Sequence, residues 1–258
     1  MITTKEARES EIQTIDPLAL ENDDAPIAVS EESVTTDEPA KPKSFAHGLN
    51  FYKLFWIFII GCFLGVVIET LYCLATRHYF ESRRGLIYGP FNLVYGIGAL
   101  AMTVGLQKLI GKRDLWLFLG GFFIGSVFEY LCSLFQEIVF GTVSWEYGQM
   151  PLNLNGRINV LYSFFWGILA LLFVKEIYPR FSRLIEKIPG KVGVPLTWVL
   201  VVFMIFNSLI SGLAVYRMSQ RHENIPASNV IAEFLDKHYP DERLQKIYAN
   251  MTYVKEDT

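Results

Sequence analysis

The sequence predicts an all-α integral membrane protein. It has five transmembrane helices, built as a parallel tandem two-helix repeat plus a fifth helix, and a short amphipathic C-terminal helical tail. Three observations predict this. Hydrophobic residues make up 52% of the 258-residue chain and charged ones 19%, an apolar excess that a soluble domain of this length does not need. The apolar residues gather in five runs near the ~20 residues required to cross a bilayer core. One phrase, GCFLGVVIETLYC at 61–73, returns as GFFIGSVFEYLC at 121–132.

Residues 1–46 hold eleven acids against four bases and have little to bury, which predicts a disordered acidic tail. Once that −7 is taken from the total of −3, residues 47–258 carry +4. No basic stripe with interleaved aromatics appears, so no nucleic-acid partner is expected. The transmembrane domain covers 47–216, with spans at about 54–75, 86–106, 115–136, 158–174 and 192–216. Unpaired backbone is too costly in lipid for these runs to be anything but helical. The fourth run is short, and residues 151–156 ahead of it are expected to dip into the interface.

Residues 217–258 form the tail. The stretch 229–238 sets Val230, Ile231, Phe234, Leu235 and His238 on one helical face, and 240–251 does so with Leu244, Ile247, Tyr248 and Met251. Two short helices are expected there, docked on the protein's own surface or acting as a lid, a partner-binding element or a membrane-surface helix.

Orientation follows the basic flanks. A cytoplasmic N-terminus puts eleven Lys/Arg inside (Lys41, Lys43, Lys53, Lys108, Lys112, Arg113, Lys175, Arg180, Arg183, Lys187, Lys191). Six lie outside: Arg77, Arg83, Arg84, Arg157, Arg217 and Arg221. The C-terminus is then extracellular, and 175–191 reads as a basic, amphipathic inside loop.

In the repeated phrase, Gly61, Gly65 and Glu69 match Gly121, Gly125 and Glu129 at a constant offset of sixty. Each set stacks two glycines and a carboxylate on one helix face. Glycines four apart let helix backbones approach closely, and the expectation is that they press the first helix onto the third. A carboxylate well inside a span is costly, so Glu69 and Glu129 are expected to face the bundle interior and find partners. Arg84 and Arg157 open the following spans and could reach them, as a structural clamp or as part of a polar site. The stretches SRRGLIYGPFNLVYG and NLNGRIN add Asn92 and Asn153. Substrate- or ion-binding candidates are therefore Glu69, Glu129, Arg84, Arg157, Asn92 and Asn153.

Several chemistries have no signature. GLQKLIGKRD lacks phosphate-loop spacing, and no HExxH, GxSxG or Cys–His arrangement occurs. No cofactor, metal or catalytic residue is expected. Cys62, Cys73 and Cys132 read as small buried hydrophobes.

Glu69, RRGLIYGPFNLVYG, FEYL around Glu129, the W-x-Y-x5-N-x-x-GRI string from Trp145 to Ile158 and the tail PDERLQKIYANM resemble the CmpB-like "putative ABC-transporter type IV" membrane proteins of Gram-positive bacteria. The resemblance covers roughly residues 51–251. It implies a multi-pass permease component of a bacterial cell membrane, with a separate ATPase subunit as partner. Ordinary importer permeases carry a Glu-Ala-Ala and downstream Gly signature in an inside loop, and 175–191 does not match it. A membrane enzyme acting on a lipid or lipid-linked anionic substrate, and a non-catalytic membrane scaffold or regulator, are the alternatives. Self-association stays open.

Overall fold

The computed structural model describes residues 44–254, so the acidic tail lies outside the described residues as far as residue 43. Four helical stretches are long and apolar enough to cross a membrane. They are α1 (Phe51–Arg77), α3 (Asp114–Phe140), the run Val160–Glu186 and α6 (Gly190–His222). α2 (Leu93–Gly105) is a shorter apolar helix. Val160–Glu186 consists of α4 (Val160–Leu172), a π turn (Phe173–Ile177) and α5 (Tyr178–Glu186). Two short helices follow, α7 (Val230–His238) and α8 (Asp241–Ile247). Strand β1 (Thr142–Val143) pairs antiparallel with β4 (Thr252–Tyr253), and β2 (Asn153–Leu154) with β3 (Ile158–Asn159).

Asparagine sets four helix starts. Asn50, Asn92, Asn159 and Asn229 cap α1, α2, α4 and α7, each side chain accepting a backbone N–H two or three residues on. α1 and α3 end on the left-handed residues His78 and Gly141.

The second span departs from expectation. Its helix begins at Leu93 rather than 86, because Gly89 has φ +74° and Pro90 follows it. The Asn92 N–H donates to the Cys62 carbonyl at 3.1 Å. Cys62 is eleven residues into α1, so α2 starts about 17 Å along that helix, not at its end. Residues 86–92 run non-helically beside the bundle and settle their backbone on α6. Ile87 N–H donates to Ser211 Oγ at 2.9 Å, and Tyr88 exchanges two bonds with the Asn207 side chain.

The fourth span is longer than expected. Most of the segment read as an inside loop at 175–191 is helix up to Glu186. Ile177, Phe181 and Ile185, spaced by four, pack with Ile57, Leu117 and Phe173 at the end of the bundle where the described chain begins. Lys53, 1% exposed, pairs with Glu186 and donates to Ser182 Oγ at 2.5 Å, which fastens α1 to α5.

The glycines press α1 onto α2 and α3 onto α4, not α1 onto α3. A Cβ on Gly61 would meet Ala99 Cβ at 3.0 Å and the Tyr95 carbonyl at 3.1 Å. One on Gly65 would run into the Tyr95 ring. A Cβ on Gly121 would run into Ala170 and meet the Trp166 carbonyl at 2.9 Å, and one on Gly125 would run into the Trp166 indole. The choice of neighbour follows from the facing surfaces: Gly96 and Ala99 on α2, and Gly167 and Ala170 on α4, are small as well.

At the opposite end, α7 and α8 dock on α6 and on the 86–92 segment. Leu235, Leu244, Ile247 and Tyr248 pack with Ile87, Ala214, Val215 and Met218. α6 continues past Tyr216 to His222, so the expected boundary at 216/217 falls inside a helix. Arg217 and Arg221 in that extension bind Asp236 and Asp241.

Candidate functional site

A cavity of about 1070 Å3 opens between the two glycine-packed helix pairs, α6 and the tail. Glu69, Glu129, Arg83, Arg84 and Asn92 all line it. Tyr248 and Met251 of the tail close part of its rim, and Phe128, Phe135, Phe165 and Leu169 supply apolar wall. Four of the six candidates from sequence, Glu69, Glu129, Arg84 and Asn92, are thus brought to one space. Arg157 and Asn153 are not.

The two carboxylates have different neighbours. Glu69 is eight residues short of the end of α1 and faces Arg83 at 3.5 Å, not Arg84. Arg83, 7% exposed, also donates to Glu81 at 2.8 Å, while its Nε has no partner among the described residues. Glu129 has no basic partner within 4 Å among the described residues. Its Oε1 accepts from the Tyr147 hydroxyl at 2.7 Å and its Oε2 from the Trp166 indole N–H at 2.8 Å. The Tyr147 ring stacks on Tyr162 at 4.6 Å, which fixes that hydroxyl. Burial raises the Tyr147 pKa, and the Glu129 carboxylate raises it further, so the phenol keeps its proton and remains a donor.

Arg84 is free of carboxylates among the described residues. Its Nε donates to Ser82 Oγ at 3.3 Å and its charge acts on the nearby Tyr248. The Tyr248 hydroxyl is buried beside Ser211 without completing a hydrogen bond. Ser211 Oγ is already engaged with Ile87 N–H. Burial pushes the Tyr248 pKa up to about 12, so this hydroxyl is also a protonated donor.

Arg157 sits elsewhere. It pairs with Glu137 at 2.6 Å, donates to Ser133 Oγ at 3.3 Å and lies 5.8 Å over the Tyr130 ring. The Glu137 hydrogen bond raises its already high pKa. These contacts tie the 141–159 loop to α3. Asn153 spends its side chain on that loop, donating to Met150 O at 2.7 Å and accepting from Gly156 N–H at 3.0 Å. Asn155 and Gly156, at φ +54° and +66°, are the central residues of a turn closed by Arg157 N–H on the Leu154 carbonyl at 3.1 Å, within the three-residue connection between β2 and β3. Asn92 both caps α2 and holds the Arg83 carbonyl at 3.3 Å, which positions the arginine backbone at the cavity.

Sequence reasoning missed Arg83, Tyr147, Trp166, Asn207 and Tyr248. The pair Arg83–Arg84 was visible, but which of the two turns toward Glu69 depends on the non-helical path of 82–92. Asn207 carried a readable signal: an amide in the middle of an apolar run, with Ser211 one turn on.

Cys62 and Cys73 are buried and unpaired, as expected of small hydrophobes, while Cys132 is half-buried. Among the described residues no His/Cys/Asp/Glu group has the arrangement to hold a metal ion.

No curated protein and no solved structure matches the chain significantly. The family model described as "Putative ABC-transporter type IV" matches residues 56–212, from α1 well into α6 and around the cavity. That is more than half of the chain, so this membrane protein belongs to the putative ABC-transporter type IV family.

Proposed function

We propose that the chain is a permease or transport subunit whose substrate occupies the cavity lined by Glu69, Glu129, Arg83 and Arg84. One observation carries this reading. Two carboxylates deep in apolar helices, Glu69 and the hydrogen-bonded Glu129, line one open space of about 1070 Å3. A scaffold would gain nothing from leaving costly charges beside such a space. Glu129, held by two neutral donors with no counter-cation among the described residues, is suited to take up a proton or cation, and Glu69 to hold Arg83 in place.

The chain then crosses the membrane five times. The second crossing combines the non-helical segment 86–92 with α2, the kind of broken helix that transporters place at a binding site. The matching Gly61/Gly65 and Gly121/Gly125 contacts support a tandem repeat of helix pairs. In this arrangement the N-terminus is cytoplasmic and the C-terminus extracellular. Ion pairs occur at both ends, Arg77, Arg83, Arg157, Arg217 and Arg221 at the outer and Lys53, Lys175 and Arg180 at the inner, so the count of Lys/Arg, eleven inside against six outside, carries the orientation. Any ATPase partner would meet that inner end.

The test is reconstitution in liposomes loaded with a total bacterial extract, followed by mass spectrometry of what leaves or is retained. The wild-type chain should move at least one class of compound. Glu69→Gln and Glu129→Gln should abolish that movement while inserting normally. Wild-type behaviour of both variants, or no compound moved by the wild type with its partner subunits present, would sink the proposal.

A further inference from the structure

The cavity has a second chemical character besides its carboxylates. At its rim stand three donor groups with unspent capacity. Arg84 has no carboxylate partner, Arg83 has an orphaned Nε, and Tyr248 has an orphaned hydroxyl, all among the described residues. Arg83 is 7% exposed and Tyr248 8% exposed, so water does not readily satisfy these atoms. A buried donor without a partner is costly, and such groups are rare unless something supplies the acceptor.

Two further features favour a negative charge there. α2 begins at Leu93, part-way along α1, and Asn92, Leu93 and Val94 line the cavity. A helix N-terminus carries partial positive charge, and a half-helix at membrane depth turns that charge toward a ligand. Asn92 couples this terminus to Arg83 through the Arg83 carbonyl. Among the described residues no acid pairs with Arg84 from α2, α6 or α8. The nearby acids Glu69 and Glu81 are both spent on Arg83.

Away from these donors the wall is apolar. Phe128 and Phe135 on α3 and Phe165 and Leu169 on α4 face the same space. A small free anion would use the donors and leave that wall wet. A molecule with an anionic group at one end and a hydrocarbon part at the other satisfies both.

We propose that the cavity binds an anionic amphiphile, its phosphate or carboxylate group held by Arg84, Arg83 Nε and the Tyr248 hydroxyl, and its apolar part lying along Phe128, Phe135, Phe165 and Leu169. This rests on the cavity being the substrate site and names the substrate class. The shared head chemistry is a monoanionic phosphate or carboxylate, and the membrane lipid itself is one source of it.

Native mass spectrometry of the full chain in neutral detergent tests this, with phosphatidylglycerol and diacylglycerol, which lacks the phosphate, of identical acyl chains offered together. Inorganic phosphate and glycerol 3-phosphate serve as competitors without an apolar part. Phosphatidylglycerol should be retained about tenfold over diacylglycerol, the worth of one charge-assisted contact. Arg84→Gln should remove that preference. Tyr248→Phe, which keeps the packing of the ring, should reduce it severalfold, for the loss of one donor to an anionic group. Helix content by circular dichroism separates misfolding from lost binding, and Arg84→Met, also uncharged, stands in if Arg84→Gln misfolds. Equal retention of the two lipids, an unchanged preference in folded Arg84→Gln, or displacement of the lipid by glycerol 3-phosphate at comparable concentration would each overturn the assignment. Binding is read here without transport. Lost lipid preference with intact transport removes this inference alone, and retained preference without transport removes the transport reading alone.

Discussion

The Asn207 side chain pairs with both backbone groups of Tyr88. Its Nδ2 donates to the Tyr88 carbonyl at 2.7 Å, and its Oδ1 accepts the Tyr88 N–H at 3.1 Å. Asn207 is 0% exposed and sits mid-way along α6. It does for residues 86–92 what a neighbouring strand would do, and so lets irregular backbone exist beside the bundle. The position of Arg83 and Arg84 depends on that path.

Asn207→Leu keeps the volume and removes the pairing. We predict a loss of ~1–3 kcal/mol for each of the two Tyr88 groups left unsatisfied. Thermal unfolding in detergent should show a clear drop, whereas Leu209→Ala, at a residue 62% exposed toward lipid, should do less. An unchanged melting temperature for Asn207→Leu would mean that the Tyr88 backbone finds other partners.

Each helix pair closes where a glycine meets an aromatic ring, and the glycines differ in what surrounds them. A side chain at Gly65 or Gly125 collides with the Tyr95 or Trp166 ring near its root, which cannot swing away. Overpacking of this kind costs ~1–3 kcal/mol. Gly212, on α6, has no neighbour within 4 Å of the place a Cβ would take. Gly212→Ala should be neutral or stabilising by up to ~1 kcal/mol, since alanine is the better helix former. Melting curves of Gly65→Ala, Gly125→Ala and Gly212→Ala should therefore differ in sign. If all three shift alike, the close approach of the helices is not what the glycines provide.

The membrane character, four of the span positions and both tail helices were legible because apolar runs and helical spacing report burial directly. Glu69 and Glu129 were legible as a pair because the surrounding phrase repeats. The pairings of α1 with α2 and of α3 with α4 were not, since they depend on Gly96 and Ala99 and on Gly167 and Ala170, which lie outside the repeated phrase. Arg157 was misplaced for a related reason. It lies just past the Asn155–Gly156 turn, and that turn swings its side chain to Glu137 instead of Glu129. The Asn-Gly dipeptide between Leu154 and Arg157 is a hairpin signal that marks the turn, though not the partner of Arg157. Glu129's partners Tyr147 and Trp166 come from separate elements, and nothing in local spacing joins them.

The tail is held to α6 by charge as well as by packing, and this gives a pH dependence with a definite sign. Arg217, 3% exposed, clasps Asp236 through Nε and Nη2, both at 2.9 Å, and Arg221 donates to the same carboxylate at 2.5 Å. The Arg217 hydrogen bond, followed by that of Arg221, holds the Asp236 carboxyl below its ordinary value of 3.8. A carboxyl depressed in the folded state stabilises docking above its unfolded value, and that contribution is lost as pH falls below 3.8 through the folded value. Charge-assisted bonds are worth ~1.5–3 kcal/mol, toward the lower figure here because Asp236 is 31% exposed. Hydrogen exchange of the α7 amides reads this directly when Asp236→Asn is compared with the parent at each pH, which cancels the intrinsic pH dependence of exchange. At neutral pH the parent should be about tenfold better protected. Below the folded value, where the parent's carboxyl is also neutral, the two curves should converge. A gap that persists there would assign the difference to packing or to the amide itself, and no gap at neutral pH would mean that the apolar contacts of Leu235 and Tyr239 dock the tail without help.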